Sequence, residues 1–296
     1  MNMNKIQELW VNVVRGWFLK EKAPSSKFGI TRRGAIKILA FWSGIFATAM
    51  AVPKASWGFT KNKTAASLKQ GHIPKWGMVI DLEQCTGCGG CVMACAQENN
   101  IPFARHGSEY EGTQILWMNL INNPDPFPLP CMQCEDPPCV KVCPVGATSI
   151  NGEGLVVQNY GRCIGCRYCM EACPYSVKFF NWDEPEWPGS LKELLNPSVS
   201  TRPKGVVEKC TFCEQRIRAY REECEISQTT MKDEKLQRLT ACAATCPTRA
   251  ITFGDLNDPE SEVSKLSESP RAMKLLKELG TKPKVTYLTK QGSVKP

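Results

Sequence analysis

The chain has 296 residues, of which 42% are apolar and 22% are charged, and its formal net charge at pH 7 is +8. This length allows one large domain or two smaller ones, and the apolar content excludes a disordered chain. The 17 cysteines are the outlier, because so many in one chain are typical of a disulfide scaffold, of zinc sites or of iron–sulfur clusters.

The positive charge is concentrated in residues 1–57. This segment has nine basic side chains against two acidic ones, Glu8 and Glu21, so it carries a net charge of +7 and the remaining residues +1. The basic residues are Lys5, Arg15, Lys20, Lys22, Lys27, Arg32, Arg33, Lys37 and Lys54. The body of the protein lacks the basic excess that nucleic-acid binding would need, so we expect no nucleic-acid partner.

Residues 1–57 have the pattern of an export signal. Arg32 and Arg33 precede an apolar run at 38–52, and small residues follow the run. Paired arginines are typical of the twin-arginine route, which exports folded proteins. The run is shorter than the ~20 residues of a membrane span, and an uncleaved anchoring helix is the alternative. We expect a polar linker at 58–75 and a location in the periplasm or at the outward face of the cytoplasmic membrane.

Short apolar runs in the body predict β-strands. They are Met78–Asp81, Ile115–Leu120, Leu155–Val157, Val177–Phe180, Ala250–Phe253 and Val285–Leu288. The last residues of each cysteine-rich stretch predict short helices, and Pro- and Gly-rich stretches predict loops at 122–130, 183–189 and 196–205. A Ser-Pro pair suits the start of a helix, so we expect one over Arg271–Leu279.

Sixteen of the 17 cysteines form four groups that repeat along the sequence. The groups are Cys85, Cys88, Cys91 and Cys95; Cys131, Cys134, Cys139 and Cys143; Cys163, Cys166, Cys169 and Cys173; and Cys210, Cys213, Cys242 and Cys246. The first and third groups have the spacing C-x2-C-x2-C-x3-C, and proline follows the last cysteine of every group except the first. This run is that of bacterial ferredoxins with two clusters. Cys224 has no partner group, and we expect it to be a buried or an incidental thiol.

The spacing favours [4Fe–4S] clusters over the alternatives. A loop with two residues between ligands can wrap a cubane, and Gly87, Gly89, Gly90 and Gly165 allow the backbone to approach it closely. Disulfides would have to join cysteines of different groups, and a structural zinc site typically uses two C-x2-C pairs. Covalent haem needs a C-x-x-C-H motif, which the sequence lacks.

The four-group pattern resembles the four-cluster iron–sulfur subunits of membrane-associated molybdopterin oxidoreductases, such as dimethyl sulfoxide, polysulfide and tetrathionate reductases. The resemblance includes W-G-M-V-I-D-L-E-Q-C at 76–85 and R-C-I-G-C-R-Y-C-M-E-A-C-P-Y at 162–175. It implies an α+β fold over 76–255 with two ferredoxin-like halves of βαβ type, each binding two clusters, with loop insertions. Residues 256–296 would then form a C-terminal extension.

The resemblance also implies which cysteines share a cluster, since it pairs the first group with the fourth and the second with the third. Cluster a would be held by Cys85, Cys88, Cys91 and Cys246, cluster b by Cys210, Cys213, Cys242 and Cys95, cluster c by Cys131, Cys134, Cys139 and Cys173, and cluster d by Cys163, Cys166, Cys169 and Cys143. Relatives with a [3Fe–4S] cluster replace the second cysteine of the third group. This protein keeps Cys166 there, so four [4Fe–4S] clusters are expected.

The resemblance implies electron transfer without catalysis, and the sequence shows no nucleophile–base constellation, phosphate loop or nicotinamide fingerprint. We expect a relay between a catalytic subunit, implied to contain molybdopterin, and an integral membrane subunit that reacts with quinone. The alternatives are a periplasmic polyferredoxin carrier and a subunit of a hydrogenase or of a sulfate-reduction quinone-linked complex. A structural zinc module is a third hypothesis.

Overall fold

The computed structural model describes residues 73–102, 115–122, 124–187 and 189–290. The predicted export signal of residues 1–57 and the predicted linker up to residue 72 lie outside this part of the chain. Within the described ranges, no helix is both long enough and apolar enough to cross a bilayer.

The strands of the described residues form one four-stranded sheet and three two-stranded sheets. They are β1 (Trp76–Asp81), β2 (Met118–Asn122), β3 (Pro126–Pro130), β4 (Thr148–Ile150), β5 (Val156–Gln158), β6 (Phe179–Phe180), β7 (Val207–Glu208), β8 (Ile251–Asp255), β9 (Ala272–Met273) and β10 (Val285–Leu288). The larger sheet has the order β8–β1–β10–β9, in which β1 runs parallel to β10 and antiparallel to β8. The smaller sheets pair β2 with β3, β4 with β5, and β6 with β7. Each of the six predicted strands is confirmed, most with shifted ends.

Four of the helices carry the cysteine groups. The helices are α1 (Gly90–Glu98), α2 (Pro138–Lys141), α3 (Tyr168–Glu171), α4 (Glu214–Ile226), α5 (Asp233–Leu236), α6 (Ala241–Thr245) and α7 (Glu262–Ser267). The predicted short helices are confirmed as α1, α2, α3 and α6, each of which contains at least one cysteine of a different group. Helix α1 packs against α6, and α2 packs against α3. The first and fourth groups are therefore neighbours, as are the second and third.

Helix α4 is an element that the sequence analysis missed. Its buried residues include Ile217, Tyr220 and Cys224, which are spaced so that they share one face of a helix. This spacing of residues could have predicted the helix from the sequence. Cys224 is 3% exposed, so its expected burial is confirmed.

The loop predicted for residues 122–130 is wrong over its second half, because Pro126–Pro130 forms β3. Three prolines alternate in this segment, and proline cannot donate a backbone hydrogen bond. The residues between them, Phe127 and Leu129, keep their N–H groups, and alternate N–H groups of a strand point to the same side. Among the described residues strand β3 pairs with β2 alone, so it is an edge strand there, the position where proline is tolerated.

The helix predicted over Arg271–Leu279 is also wrong. Ala272 and Met273 form β9, which pairs with β10, and only the short 3₁₀ turn Lys277–Leu279 is helical. The side chain of Arg271 donates to the Thr289 carbonyl at 2.7 Å and forms an ion pair with Asp81, also at 2.7 Å. These long-range contacts outweigh the local helix signals, whose energies are small.

Strand β10 lies at the centre of the core. All four of its residues are buried, and it separates β1 from β9 in the sheet. The ring of Tyr287 stacks on Phe127 with 4.5 Å between centroids, and its hydroxyl donates to the Pro128 carbonyl at 2.9 Å. The segment after residue 255 thus supplies two of the four strands of the sheet that carries the first cysteine group.

Replacing Tyr287 tests this role of β10. Tyr287→Ala leaves a cavity where a fully buried ring lay, and such replacements cost about 3–5 kcal/mol. Tyr287→Phe keeps the ring and loses one hydrogen bond, at a cost of about 1 kcal/mol. Anaerobic thermal unfolding followed by circular dichroism should show a much lower midpoint for Tyr287→Ala than for Tyr287→Phe. Equal midpoints would contradict a core position for β10.

Candidate iron–sulfur centres

The four cysteine groups share one backbone feature. The residue just before the second cysteine has a positive φ in every group: 71° at Gly87, 45° at Gln133, 70° at Gly165 and 58° at Phe212. A left-handed residue in a turn points successive N–H groups into one concavity, and such concavities bind anions, including iron–sulfur clusters. The internal repeat read from the cysteine spacing is therefore also a repeat of backbone conformation.

Two of these left-handed residues are not glycine, and sequence reasoning missed them. Gln133 is fully buried. Its Oε1 accepts from the N–H of Val156 at 2.7 Å, and its Nε2 donates to the Cys210 carbonyl at 2.9 Å. Phe212 is buried and packs edge-on against Phe253 at 5.5 Å. Contacts of this kind offset the cost of a left-handed backbone, and the shared position in the repeat was the signal that could have found them.

Cys91 and Cys95 lie on one helix, α1, and face different cysteines. Burial, followed by the nearby thiols of Cys85, Cys246 and Cys88, raises the pKa of Cys91 to about 11. The same four residues line one pocket. The pKa of Cys95 is raised well above its usual value by burial and then by other neighbours, namely Cys210, Cys213 and Cys242. The structure therefore brings together set a (Cys85, Cys88, Cys91 and Cys246) and set b (Cys95, Cys210, Cys213 and Cys242).

The second and third groups exchange their last cysteines in the same way. Burial, followed by Cys131, Cys139 and Cys173, raises the pKa of Cys134 to about 12. Burial raises the pKa of Cys169, and Cys163 and Cys143 are its thiol neighbours. These residues form set c (Cys131, Cys134, Cys139 and Cys173) and set d (Cys143, Cys163, Cys169 and, on the same loop, Cys166).

Interactions between cysteines link the sets in the order a, b, c, d. Cys91 of set a acts on the pKa of Cys242 in set b. After burial, Cys131 of set c is the largest influence that raises the pKa of Cys210 in set b to about 12. Cys139 of set c and Cys169 of set d share one buried apolar cluster. These pairwise links place the four sets in one series from a to d, which is called the row.

Exposure differs along this row. Cys88 in set a and Cys166 in set d are exposed, whereas all four cysteines of set b are buried and three of those in set c are buried. All 17 cysteines are free thiols. In the described part of the chain, no three His, Cys, Asp or Glu side chains converge on the position of a single metal ion. The row thus has two ends near the surface and a covered middle.

Backbone N–H groups point at the cysteine sulfurs. The Sγ of Cys143 accepts from Ala147 at 3.2 Å, that of Cys246 from Ala250 at 3.3 Å, and that of Cys210 from Phe212 at 3.4 Å. Burial acts to raise the pKa of Cys143, but its backbone hydrogen bonds lower it below its usual value. These donors stabilise thiolates, the form of cysteine that binds metals.

Three buried lysines lie near the sets and form no ion pair with a carboxylate in the described residues, although Glu135 acts to raise the pKa of Lys284. Lys178, Lys209 and Lys284 are each at most 4% exposed. Lys284 donates to the Gly154 carbonyl at 2.6 Å, and burial lowers its pKa to about 8. Buried charges are normally paired, so these cations call for an anionic group nearby. A [4Fe–4S] cluster with four thiolate ligands is such a group, and the residues fit it.

Comparison with known proteins identifies the family. Two family models described as 4Fe-4S dicluster domains match residues 84–147 and 124–188. An iron–sulfur cluster-binding subunit of menaquinone reductase from Nitratidesulfovibrio vulgaris is 46% identical over 239 residues, which cover 76% of this chain and 92% of that protein. This chain is a member of the family of iron–sulfur electron-transfer subunits of reductases.

Further members of this iron–sulfur subunit family match a similar share of the sequence. The iron–sulfur subunit of the arsenate respiratory reductase of a Shewanella species is 37% identical, over 73% of this chain and 97% of its own length. A component of the polysulfide reductase of Wolinella succinogenes is 32% identical, over 74% of this chain and 97% of its own length. The resemblance inferred from the cysteine pattern is therefore confirmed.

The tight loop of the third group in this iron–sulfur subunit gives a test. A Cβ added at Gly165 would lie 2.4 Å from the Gly205 carbonyl oxygen, whereas one added at Gly89, which also has a positive φ, would meet nothing within 4 Å. We expect Gly165→Ala to reduce the iron and acid-labile sulfide bound per chain, because the Gly205 backbone cannot move aside as a flexible side chain could. Gly89→Ala should retain both and lose only the about 1–2 kcal/mol of a left-handed residue. The same cluster content in both variants would contradict this packing.

Proposed function

We propose that the four sets hold four [4Fe–4S] clusters, with the ligands of each cluster drawn from two cysteine groups. Set a and set b would form one ferredoxin-like half with α1 and α6, and set c and set d the other with α2 and α3. The packing of these helix pairs, the repeated left-handed residue and the thiol neighbours of each set support this assignment.

The clusters would supply one-electron exchange, and the polypeptide would provide their order, insulation and docking sites. The observation that carries the function is the row of four sets with its middle buried and both ends near the surface. Buried thiols exclude water from set b and set c, while Cys88 and Cys166 bring the two end sites within reach of partners. This arrangement suits a conductor that receives an electron at one end and releases it at the other.

In this proposal the protein relays electrons between a catalytic subunit that contains molybdopterin and an integral membrane subunit that reacts with quinone, and itself performs no bond chemistry. The relative from Nitratidesulfovibrio vulgaris is named as part of a menaquinone reductase, which supports a quinone-linked complex. The paired arginines support export by the twin-arginine route to the periplasm or the outward face of the cytoplasmic membrane.

Exposed apolar side chains near set d favour a lasting partner over a transient one. Ile164 and Tyr168, on the loop and helix of the third group, are each 64% exposed. Contiguous exposed apolar patches mark sites of protein–protein interaction, and aromatic side chains are enriched at such interfaces. Trp182, 38% exposed, stacks on Arg167 nearby at 4.7 Å.

Cysteine replacements test the ligand sets. Cys91→Ser and Cys246→Ser lie 155 positions apart in the sequence, yet both should alter the same cluster signal in electron paramagnetic resonance of the reduced protein. Cys95→Ser should alter a different signal, although it lies on the same helix as Cys91. Cys224→Ser is the control and should retain all signals and the wild-type iron content. Different signals for Cys91→Ser and Cys246→Ser would contradict set a, and zinc without acid-labile sulfide would contradict clusters altogether.

Purification of the native complex tests the relay. We expect the protein to co-purify from membranes, at high salt, with a molybdenum-containing subunit and a quinone-binding integral membrane subunit. Ile164→Glu with Tyr168→Glu should release one partner and leave cluster content unchanged, because both side chains are exposed. A matched control is Ile226→Glu, which changes an exposed side chain at the end of α4. A native protein that runs alone would instead support the freestanding carrier.

A further inference from the structure

Lys178 occupies an unusual position for a lysine. It is 4% exposed and follows the last cysteine of the third group by five residues. Its Nζ donates to Thr148 Oγ1 at 3.3 Å and to Gln158 Oε1 at 3.4 Å. In the described part of the chain it forms no ion pair with a carboxylate. A buried ammonium with only neutral acceptors is costly unless an anion lies nearby.

The surroundings of Lys178 connect it to two cysteine sets. Thr148, which accepts from its Nζ, donates its own backbone N–H to the Sγ of Cys143 in set d at 3.5 Å. After burial, which raises the pKa of both thiols, Lys178 is the largest influence on Cys139 of set c and on Cys169 of set d, and it lowers both pKa values. Lys178 is therefore linked to set d through hydrogen bonds of Thr148, and its charge acts on one cysteine of each set.

A neutral residue would serve the local hydrogen bonds equally well. Thr148 and Gln158 already bond across the β4–β5 pair, with Thr148 Oγ1 donating to Gln158 Oε1 at 2.6 Å. The other two buried lysines donate to backbone carbonyls, Lys209 to those of Val156 and Cys210 and Lys284 to that of Gly154. Lys209 also lowers the pKa of Cys139, but less than Lys178 does, whereas Lys178 also acts on Cys169 of set d. The positive charge at Lys178 is thus the feature that its neighbours leave unexplained.

We propose that Lys178 is the shared counter-ion of the two clusters held by set c and set d, and that it makes both easier to reduce. Reduction adds one negative charge to a cluster, and a fixed positive charge in a poorly hydrated interior favours that form. Because one ammonium acts on both sites, it raises both potentials together. The inference rests on the proposed function.

The test is a redox titration of the purified full-length protein, or of its complex, followed by electron paramagnetic resonance. Lys178→Met removes the charge and keeps the length of the side chain. We expect the reduction equilibrium of two of the four clusters to fall by about tenfold, which is 59 mV for a one-electron couple. Lys178→Arg should restore both potentials. Lys141→Gln removes a lysine of α2 whose side chain is 61% exposed and should shift neither, because water screens that charge.

Iron and acid-labile sulfide, measured on every variant, separate the failures. A fully loaded Lys178→Met protein with wild-type potentials at all four clusters would overturn the inference and leave the proposed function intact. Loss of clusters in Lys178→Met with retention in Lys178→Arg would support the counter-ion role. Loss in both variants would assign Lys178 to packing and overturn it. Wild-type protein without iron and sulfide would overturn the proposed function itself.

Discussion

The burial of negatively charged sulfur is the constraint on which this fold depends. Thiols as buried as Cys95 and Cys242 resist ionisation, yet a cysteine must be ionised to bind a metal. Two features of the protein stabilise the ionised form. Backbone N–H groups donate hydrogen bonds to sulfur, and three buried lysines, which form no ion pair with a carboxylate in the described residues, supply positive charge. Without a bound anionic group, the buried lysines would destabilise the interior.

The loops that carry the cysteines share one backbone geometry, which directs N–H groups toward the sulfur sites. A left-handed residue before the second cysteine appears four times, with two glycines and two larger residues. Where glycine is used, at Gly165, the space beside it is filled by the Gly205 carbonyl. Where Gln133 is used, its amide binds the backbone of two other segments. The left-handed backbone is thus stabilised by tertiary contacts at some loops and permitted by the conformational freedom of glycine at others.

The sequence predicted the cysteine groups, the short helices that carry them and the positions of six strands. It did so because ligand spacing and short apolar runs are local signals. It did not predict that Pro126–Pro130 would pair as an edge strand or that Ala272 and Met273 would join the sheet, since both depend on partners that no local pattern identifies. Gln133 and Phe212 were missed as left-handed residues, although their shared position before the second cysteine of a group was a signal in the sequence. Their left-handed backbone is held by tertiary contacts, and neither residue favours it alone.

The position of β10 has a consequence for how the protein is made. Strand β1 finds its antiparallel neighbour only after residue 251 and its parallel neighbour only after residue 285. Cys246, which lies beside Cys85 and Cys91, is likewise synthesised 155 residues after Cys91. Domains whose contacts are this distant in sequence fold slowly and late. The four cysteines of set a can therefore come together only after residue 246 has been synthesised, and a chain that stops earlier lacks one of them.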